Sequence, residues 1–202
     1  MPPLPPVMGE NLSSRSDVPA IFSERLELIS LSPEFLEASL QGDVSTAEAL
    51  LGLSISAEWF ESKWLIQLRL SDLQQDSNLQ PWLLRAVVLR DRKIMIGHIG
   101  FHGPPDAEYL REYAPGGAEL GYTIFPAFRR RGYAREAAEA LMRWGREEHS
   151  VPRFVVSIRP DNSPSLRLAE RLGFRWVGSH IDEIDGLENI YRLDVFQENE
   201  VP

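Results

Sequence analysis

Three consecutive arginines and a glycine occupy the point at which the sequence changes from a strand pattern to a helix pattern. Arg129–Arg131 and Gly132 follow the strand pattern of residues 119–125, and a helical pattern begins at about residue 133. The first four N–H groups of a helix have no partner within the helix, and the helix dipole adds partial positive charge there. Because Gly132 and the small Ala134 would let an anion approach these N–H groups, the stretch predicts a site for a phosphate-like anion.

The same stretch matches neither of two common nucleotide-binding motifs. The phosphate-loop motif GxxxxGK[ST] and the dinucleotide motif GxGxxG are both absent from the sequence. The alternative interpretation is an exposed, solvated arginine run in front of an ordinary helix, because short basic runs are weak signals. The rest of the chain has to decide between these two interpretations.

The elements around this stretch alternate between strands and helices. Alternating or continuous apolar patterns predict strands at residues 24–31, 83–91, 93–103, 118–125, 153–160, 175–186 and 187–196. Helical spacing of apolar residues, with capping residues at several ends, predicts helices at 33–41, 46–53 and 56–74, from about 133, and from a Ser163 N-cap to Gly173. This order predicts an α/β domain with a mixed sheet.

Composition excludes several kinds of site. The chain has 202 residues, of which 43% are hydrophobic, and this fits one folded domain with a tail. Because it contains no cysteine, it has no disulfide, no thiolate zinc site and no cysteine nucleophile. The 30 acidic and 21 basic residues give a formal net charge of -9, which argues against general nucleic-acid binding.

The N-terminal residues differ in composition from the rest of the chain. Residues 1–20 are rich in Pro, Ser and Asn, and they predict a flexible tail ahead of one domain over residues 21–197. No apolar run approaches the ~20 residues that span a bilayer. The N-terminus also lacks the pattern of a signal peptide. We therefore expect a cytoplasmic protein with no membrane partner.

Three separated segments resemble one enzyme family. Arg129–Ala134 resembles the signature Q/R-x-x-G-x-G/A, and Asn162–Ser165 followed by Arg171–Phe174 resembles the pattern N-x-x-S … K/R-x-G-F. These are motifs of the GNAT acyl-CoA-dependent N-acetyltransferases, and they stand here in the same order. The opening SERLELISLSPEFLEA is similar to the RimJ/RimL-like branch, whose best-known members acetylate protein N-termini. The resemblance covers roughly residues 22–196, and it implies the GNAT fold, a mixed and mostly antiparallel sheet flanked by helices.

The resemblance implies acetyl-CoA as the cosubstrate and a place for each of its parts. Backbone N–H groups of residues 130–134 would hold the pyrophosphate. In this family the preceding strand parts from its neighbour, so Tyr122–Ile124 would lie along the pantetheine arm and Asn162 would bond its other side. The residues implied to bind the cosubstrate are Tyr122, Thr123, Ile124, Arg129, Arg130, Arg131, Gly132, Tyr133, Ala134 and Asn162.

Acetyl transfer to an amine sets the requirements for catalytic residues. The amine must be neutral to attack, the developing oxyanion needs a donor, and the leaving thiolate benefits from a proton donor. From its place in the family, Glu119 is expected as the base and Ser165 as the group that protonates the thiolate. An exposed strand-end carboxylate and a first-turn helix serine are the ordinary alternatives. Tyr133 and Tyr191 are further candidates for the acid, with buried packing as their alternative.

Two histidines stand four residues apart on a predicted strand. His98 and His102 would share one face of that strand, but no third ligand follows at metal spacing, so we expect no metal site. Each is expected either in the core or in a substrate cleft. The acceptor pocket is expected between the helices of residues 56–80, the loop 104–117 and the hairpin 178–190, which carry no motif for a particular acceptor.

These observations give one main hypothesis and two alternatives. The main hypothesis is an N-acetyltransferase that moves acetyl from acetyl-CoA to a primary amine by direct attack in a ternary complex. The acceptor would be a protein N-terminus or a small amine, and the family also implies that a homodimer is common. A non-catalytic acyl-CoA-binding regulatory module would keep the binding residues without a base. An interaction scaffold built around the tryptophan-rich helix 56–71 would bind no CoA.

Overall fold

The computed structural model describes residues 18–182 and 186–195, within which strands and helices alternate. The strands are β1 (Ile21–Phe22), β2 (Leu26–Ser30), β3 (Ser54–Ile55), β4 (Arg85–Leu89), β5 (Ile94–Phe101), β6 (Ala118–Ile124), β7 (Arg153–Ile158), β8 (Arg175–Asp182) and β9 (Gly186–Asp194). The α-helices are α1 (Pro33–Gln41), α2 (Val44–Leu51), α3 (Ala57–Phe60), α4 (Lys63–Gln75), α5 (Tyr133–His149) and α6 (Ser163–Arg171). Single 3-10 turns occur at Ser77–Leu79, Glu108–Leu110 and Pro126–Phe128.

All of these strands join one sheet. Their order is β1-β2-β4-β5-β6-β7-β9-β8, with β3 beside β5. Among the described strands, β3 with β5 and β6 with β7 are parallel pairs, and the other neighbours are antiparallel. The predicted mixed and mostly antiparallel sheet is therefore confirmed, and the short strands β1 and β3 are additions to the prediction.

The sheet opens between β6 and β7. These strands pair at Ala118–Phe154 and Glu119–Val155, and within the described residues no further pair joins them. β6 nevertheless stays paired with β5 as far as Ile124. A gap therefore begins after Glu119, and one backbone edge of β6 faces it.

Helices cover both faces of the sheet. Successive side chains of a strand point to opposite faces, so a strand with apolar residues in succession needs cover on each face. On one face, which we call the α5 face, Phe101 of β5 packs against Trp144 of α5, with ring centroids 6.2 Å apart. Phe101 also stacks with Phe154 of β7 at 6.0 Å. On the other face, which we call the α3 face, His98 of β5 packs edge-on against Trp59 of α3 at 5.7 Å.

The segment between β5 and β6 packs on the α3 face of the opened part of the sheet. In this segment, Leu110 and Ala114 form a small buried cluster with Val155 of β7 and Ile190 of β9. The sequence predicts a long loop over residues 104–117. The structure confirms the loop and adds the 3-10 turn, whose Leu110 anchors it to the sheet.

Local sequence signals set the ends of α1. The side chain of Ser32 accepts a hydrogen bond from the backbone N–H of Phe35, and Pro33 occupies the first turn, where its missing N–H costs nothing. Gly42 ends the helix with a left-handed φ of 72°. The predicted bounds of this helix are confirmed.

The helix predicted over residues 56–74 is instead two helices, α3 and α4, with Ser62 between them. Trp59 is fully buried, whereas Trp64 is 58% exposed, so the two tryptophans of this segment do not share one buried face. The break turns α4 so that an aliphatic face meets the core in place of Trp64. The buried apolar residues of α4 are Ile66, Leu70 and Leu73.

The helix α6 begins one residue earlier than predicted. Asn162, and not Ser163, is the N-cap, since its side chain accepts a hydrogen bond from the backbone N–H of Ser165 at 3.3 Å. Asn and Ser are equally good N-caps, so two adjacent candidates could not be separated from the sequence alone. Pro164 lies in the first turn, where a proline is favoured.

Some predicted features lie outside the described residues. They are residues 1–17 of the tail predicted over 1–20, residues 183–185 between β8 and β9, and residues 196–197 at the end of the predicted domain. Among residues that are described, no helix is both long enough and apolar enough to cross a membrane.

Candidate active site

A cavity of about 1150 Å³ lies where β6 and β7 have separated. Its walls are the end of β6, the arginine–glycine stretch, the first turn of α5 and the first turns of α6. The predicted site residues that line it are Tyr122, Thr123, Ile124, Arg129, Arg130, Gly132, Tyr133, Ala134, Asn162 and Ser165. Of the predicted cosubstrate residues, Arg131 alone is outside the lining. Separated motifs of the sequence therefore converge on one site.

The backbone of the arginine–glycine stretch is shaped for an anion. Arg130 and Gly132 have left-handed φ angles of 61° and 83°. Such residues curve a loop so that its N–H groups form a concave anion-binding surface. Gly132 is also the N-cap of α5, and it makes no side-chain capping bond to that helix. The first N–H groups of α5 are therefore placed to bind a ligand.

The cavity lining is basic although the chain as a whole is acidic. The lining contains one carboxylate, that of Asp161, and six arginines, which are Arg129, Arg130, Arg135, Arg159, Arg167 and Arg171. Its volume is at or above the range of ~300–1,000 Å³ usual for small-molecule sites. This combination of size, charge and free helix N–H groups fits a large polyanionic ligand such as acetyl-CoA.

Arg25, which immediately precedes β2, holds the arginine–glycine stretch in place. Its Nε donates to Glu136 of α5 at 2.7 Å, and its Nη1 donates to the backbone oxygen of Arg131 at 3.1 Å. The guanidinium also lies over the ring of Tyr133, 4.6 Å from its centroid. Burial alone would raise the pKa of Glu136, but hydrogen bonds from Arg25 and Ser23 lower it. Glu136 therefore serves as a charged anchor for Arg25.

Asn162 and Ser165 stand at the start of α6, across the cavity from α5. Because Asn162 Oδ1 is occupied by the helix cap, its amide nitrogen is the group that can serve a ligand. The hydroxyl of Ser165 is close enough to the phenol of Tyr122 to influence its pKa. Burial raises the pKa of Tyr122, and this contact offsets part of the rise. The two hydroxyls form a neutral donor pair beside the opened strand.

Glu119 lies at the start of the gap and is buried, with 5% of its surface exposed. Its Oε2 accepts a hydrogen bond from the hydroxyl of Tyr109 at 2.9 Å and lies 3.3 Å from Nδ1 of His102. Burial alone would raise its pKa, but bonds from His102, Ser157 and Tyr109 lower the pKa to about 2. Such a carboxylate is a weak base at neutral pH, so the structure favours a role through a neighbouring group.

His98, on β5, and His102, which immediately follows β5, lie in different environments on the α3 face. His98 is buried among the rings of Trp59 and Phe125, and burial lowers its pKa to about 4. It is a core residue. The side chain of His102 is 42% exposed and contacts Glu119. The expectation of a core histidine is therefore confirmed for His98, and the place of His102 in a substrate cleft stays a prediction.

The two tyrosines named as further acid candidates are in different places. Tyr133 lines the cavity, but it is 9% exposed and lies beneath Arg25. Tyr191, on β9, packs against the main core and does not line the cavity. Ser165 with Tyr122 is therefore better placed than either as a donor at the cavity wall.

Sequence reasoning missed three contacts at this site. They are the hydrogen bonds from Arg25 to the arginine–glycine stretch and from Tyr109 to Glu119, and the close approach of His102 Nδ1 to Glu119. Arg25 belongs to the SERLELI segment, whose resemblance to a family gave an available signal. The loop that carries Tyr109 has no such signal.

Across residues 18–182 and 186–195, no group of three or more His, Cys, Asp and Glu side chains is arranged to hold a metal ion.

Comparison with solved structures identifies the same fold in other proteins. The acetyltransferase (GNAT family) from Bacillus anthracis superposes with a TM-score of 0.56 at 24% identity, covering 87% of this chain and 98% of that chain. RimL, the ribosomal L7/L12 alpha-N-protein acetyltransferase in complex with coenzyme A, superposes with a TM-score of 0.59 at 20% identity. That comparison covers 88% of this chain and 98% of RimL.

Sequence comparison identifies the family. The uncharacterized N-acetyltransferase YnaD of Bacillus subtilis (strain 168) is 35% identical over 92 residues, which are 46% of this chain and 49% of YnaD. The uncharacterized N-acetyltransferase YjdG of the same organism is 27% identical over 157 residues, or 75% of this chain and 87% of YjdG. The chain thus spans about half of the first relative and most of the second. The acetyltransferase (GNAT) domain model matches residues 15–175, and the chain therefore belongs to the GNAT family of acetyltransferases.

Proposed function

We propose that this protein transfers the acetyl group of acetyl-CoA to a primary amine by direct attack, with both substrates bound together. The observation that carries the proposal is the basic cavity beside the gap between β6 and β7, with the free N-terminus of α5 in its wall. When bound, acetyl-CoA supplies the activated acetyl group. The gap gives that group a path from the α5 face to the α3 face, where Glu119 and His102 lie.

Each wall of the cavity has a proposed role in binding. Backbone N–H groups of residues 130–134 bind the pyrophosphate, and the arginines beside them add positive charge. The backbone edge of Tyr122–Ile124 bonds the amides of the pantetheine arm, because within the described residues this edge has no strand partner beyond Glu119. On the same stretch, the Ile124 oxygen already accepts a hydrogen bond from Nε of Arg129 at 2.7 Å. The amide nitrogen of Asn162 binds the arm from the side of α6.

Glu119 and Ser165 have the proposed roles in proton transfer on the two sides of the gap. The buried charge of Glu119 favours removal of the amine proton through a neighbouring group. Ser165, close to Tyr122, is the donor for the departing sulfur. The leaving sulfur is then protonated on the α5 face, while the amine loses its proton on the α3 face.

A protein N-terminus is the first acceptor class that we propose to test. The support comes from RimL, whose name is ribosomal L7/L12 alpha-N-protein acetyltransferase, and from the SERLELI opening, which resembles the RimJ/RimL-like branch. Small amines are the second class. The cytoplasmic location and the homodimer stay predictions.

The experiment is an acetylation panel with purified full-length protein. Peptides with free N-termini, amino acids, polyamines and aminoglycosides are offered with acetyl-CoA, and release of the CoA thiol is followed. Mass spectrometry then checks for the gain of one acetyl group. We expect at least one amine to be acetylated. Binding of acetyl-CoA without acetylation of any amine would contradict transfer and favour the regulatory module.

A further inference from the structure

The backbone of His102 is fixed from two sides at the start of the gap. Its N–H donates to the backbone oxygen of Glu119 at 2.8 Å, which extends the pairing of β5 with β6 by one residue. Its own oxygen accepts from Nη1 of Arg69, on α4, at 3.3 Å. The position of the imidazole therefore depends on the strand pair and on α4 together.

The imidazole lies directly over a glycine of β6. Nε2 of His102 is 2.9 Å from the place that a Cβ on Gly121 would occupy, which is closer than real side-chain contacts allow. A residue with a side chain at 121 would displace the ring. Gly121 is also the neighbour of Tyr122, which lines the cosubstrate cavity from the other face. The ring therefore stands at the α3-face side of the gap.

Glu119 orients this ring and leaves one nitrogen for a substrate. A carboxylate 3.3 Å from Nδ1 favours the tautomer in which Nδ1 carries the proton, so that Nε2 keeps its lone pair. The carboxylate is buried and already accepts from the Tyr109 hydroxyl. Of these three groups, the imidazole is the one that combines a 42% exposed side chain with a charged partner to stabilise its protonated form.

We propose that Nε2 of His102 accepts the proton of the incoming amine and that Glu119 is the residue that positions it. This inference rests on the proposed acetyl transfer. The ammonium form of the acceptor gives one proton to Nε2, and the neutral amine remains. Its lone pair forms the new C–N bond as the C–S bond breaks. The sulfur leaves with the electron pair of that bond and takes the hydroxyl proton of Ser165, which regains a proton from the second N–H of the amine. The imidazolium later releases its proton to water.

Charged and titratable groups from each neighbouring element face this ring. Glu119 lies on β6, and Tyr109 lies on the 3-10 turn of the loop, where burial raises its pKa so that it stays a donor. Arg69 of α4 is paired with Asp72 at 2.8 Å, so this helix adds little net charge. The carboxylate of Glu119 is therefore the dominant charge on the imidazole.

The test compares wild type with His102→Gln, and it uses His149→Gln as the matched control. His149 is an exposed histidine at the end of α5 remote from the arginine–glycine stretch. For the amine found in the panel, we expect His102→Gln to lower kcat by about 100-fold, within the usual range for general-base catalysis. The Kd for acetyl-CoA should not change. The acidic limb of the pH profile of kcat/KM should be lost in this variant and kept in His149→Gln.

Nitrogen NMR of the histidine side chains supplies a measurement that needs no acceptor. In neutral His102 we expect the proton on Nδ1 and the lone pair on Nε2, and we expect Glu119→Gln to weaken this preference. A proton on Nε2 in the wild-type protein would overturn the inference. So would equal kcat values and equal pH profiles in wild type and His102→Gln. Failure of the wild type to bind acetyl-CoA would instead overturn the proposed function.

Discussion

Arg25 and Glu136 form an ion pair in which Nη2 and Oε2 are 2.6 Å apart. Through the same guanidinium, Arg25 donates to the backbone oxygen of Arg131, a residue 106 positions away in the sequence. The pair thus joins the first strands of the sheet to the arginine–glycine stretch and to α5. A loop held in its binding shape before the ligand arrives loses less entropy on binding.

Replacing Arg25 should therefore weaken cosubstrate binding. We expect Arg25→Ala to raise the Kd for acetyl-CoA by about tenfold, because the loop must then be ordered by the ligand itself. Isothermal titration measures the Kd, and calorimetric unfolding measures the Tm. Arg90→Ala is the matched control. Arg90 also donates hydrogen bonds to the chain just before Arg25, at the backbone oxygens of Ser23 and Glu24. Equal Kd values for the two variants would contradict the role assigned to Arg25.

An acidic side chain at Gly132 should abolish the binding of acetyl-CoA. The left-handed φ of 83° at this position strains any other residue by about 1–2 kcal/mol, and a carboxylate there would repel phosphate at the start of α5. We expect Gly132→Glu to remain folded and to lose detectable acetyl-CoA binding in a titration. Gly42→Glu introduces the same residue at a similar φ of 72°, at the end of α1, and it should bind normally. Retained binding by Gly132→Glu would show that the pyrophosphate lies elsewhere.

Two substitutions of Asn162 should separate its structural role from its binding role. Asn162→Ala removes the cap of α6 and should cost about 1 kcal/mol of unfolding free energy. Asn162→Ser keeps a capping oxygen but lacks the amide nitrogen. Both variants should bind acetyl-CoA several-fold more weakly, as expected for one lost hydrogen bond, while urea unfolding should show near-normal stability for the serine variant. A serine variant with unchanged affinity would assign Asn162 to capping alone.

Predictions that rest on neighbouring residues agree with the structure. The bounds of α1 follow from its capping residues, and the arginine–glycine stretch opens α5 as its glycine and flanking patterns indicate. The convergence of the stretch with Asn162 and Ser165 in one cavity came from the order of family motifs, since nothing local brings them together.

Predictions failed where distant contacts decide the outcome. The break at Ser62 depends on how α4 turns its aliphatic side toward the sheet, and helical spacing alone cannot show this. The contacts of Glu119 with Tyr109, which lies in a loop, and with His102, which follows a strand end, could likewise not be predicted. Such contacts depend on which residues of neighbouring strands lie opposite one another, and the sequence alone does not reveal this register. The role of Glu119 as the base stays a prediction.

His98 should make the stability of the fold depend on pH. Burial lowers its pKa from 6.5 to about 4, so the unfolded chain binds a proton that the folded chain does not. Stability should therefore be complete above about pH 6.5 and should fall as the pH drops from there toward 4. Between pH 7 and 5.5 we expect wild type to lose about 1 kcal/mol of unfolding free energy relative to His98→Leu. Urea unfolding at both pH values measures this difference, and parallel losses in the two proteins would contradict it.

Titration of the purified wild-type protein with acetyl-CoA shows whether the arginine–glycine stretch binds this cosubstrate. We expect saturable binding of one acetyl-CoA per chain with a micromolar Kd, and similar binding of CoA, because most proposed contacts are made to the pyrophosphate and the pantetheine arm. Circular dichroism of the same sample confirms that it is folded. A folded protein that takes up neither molecule would contradict this expectation, and the arginine–glycine stretch would then be an exposed basic run in front of an ordinary helix.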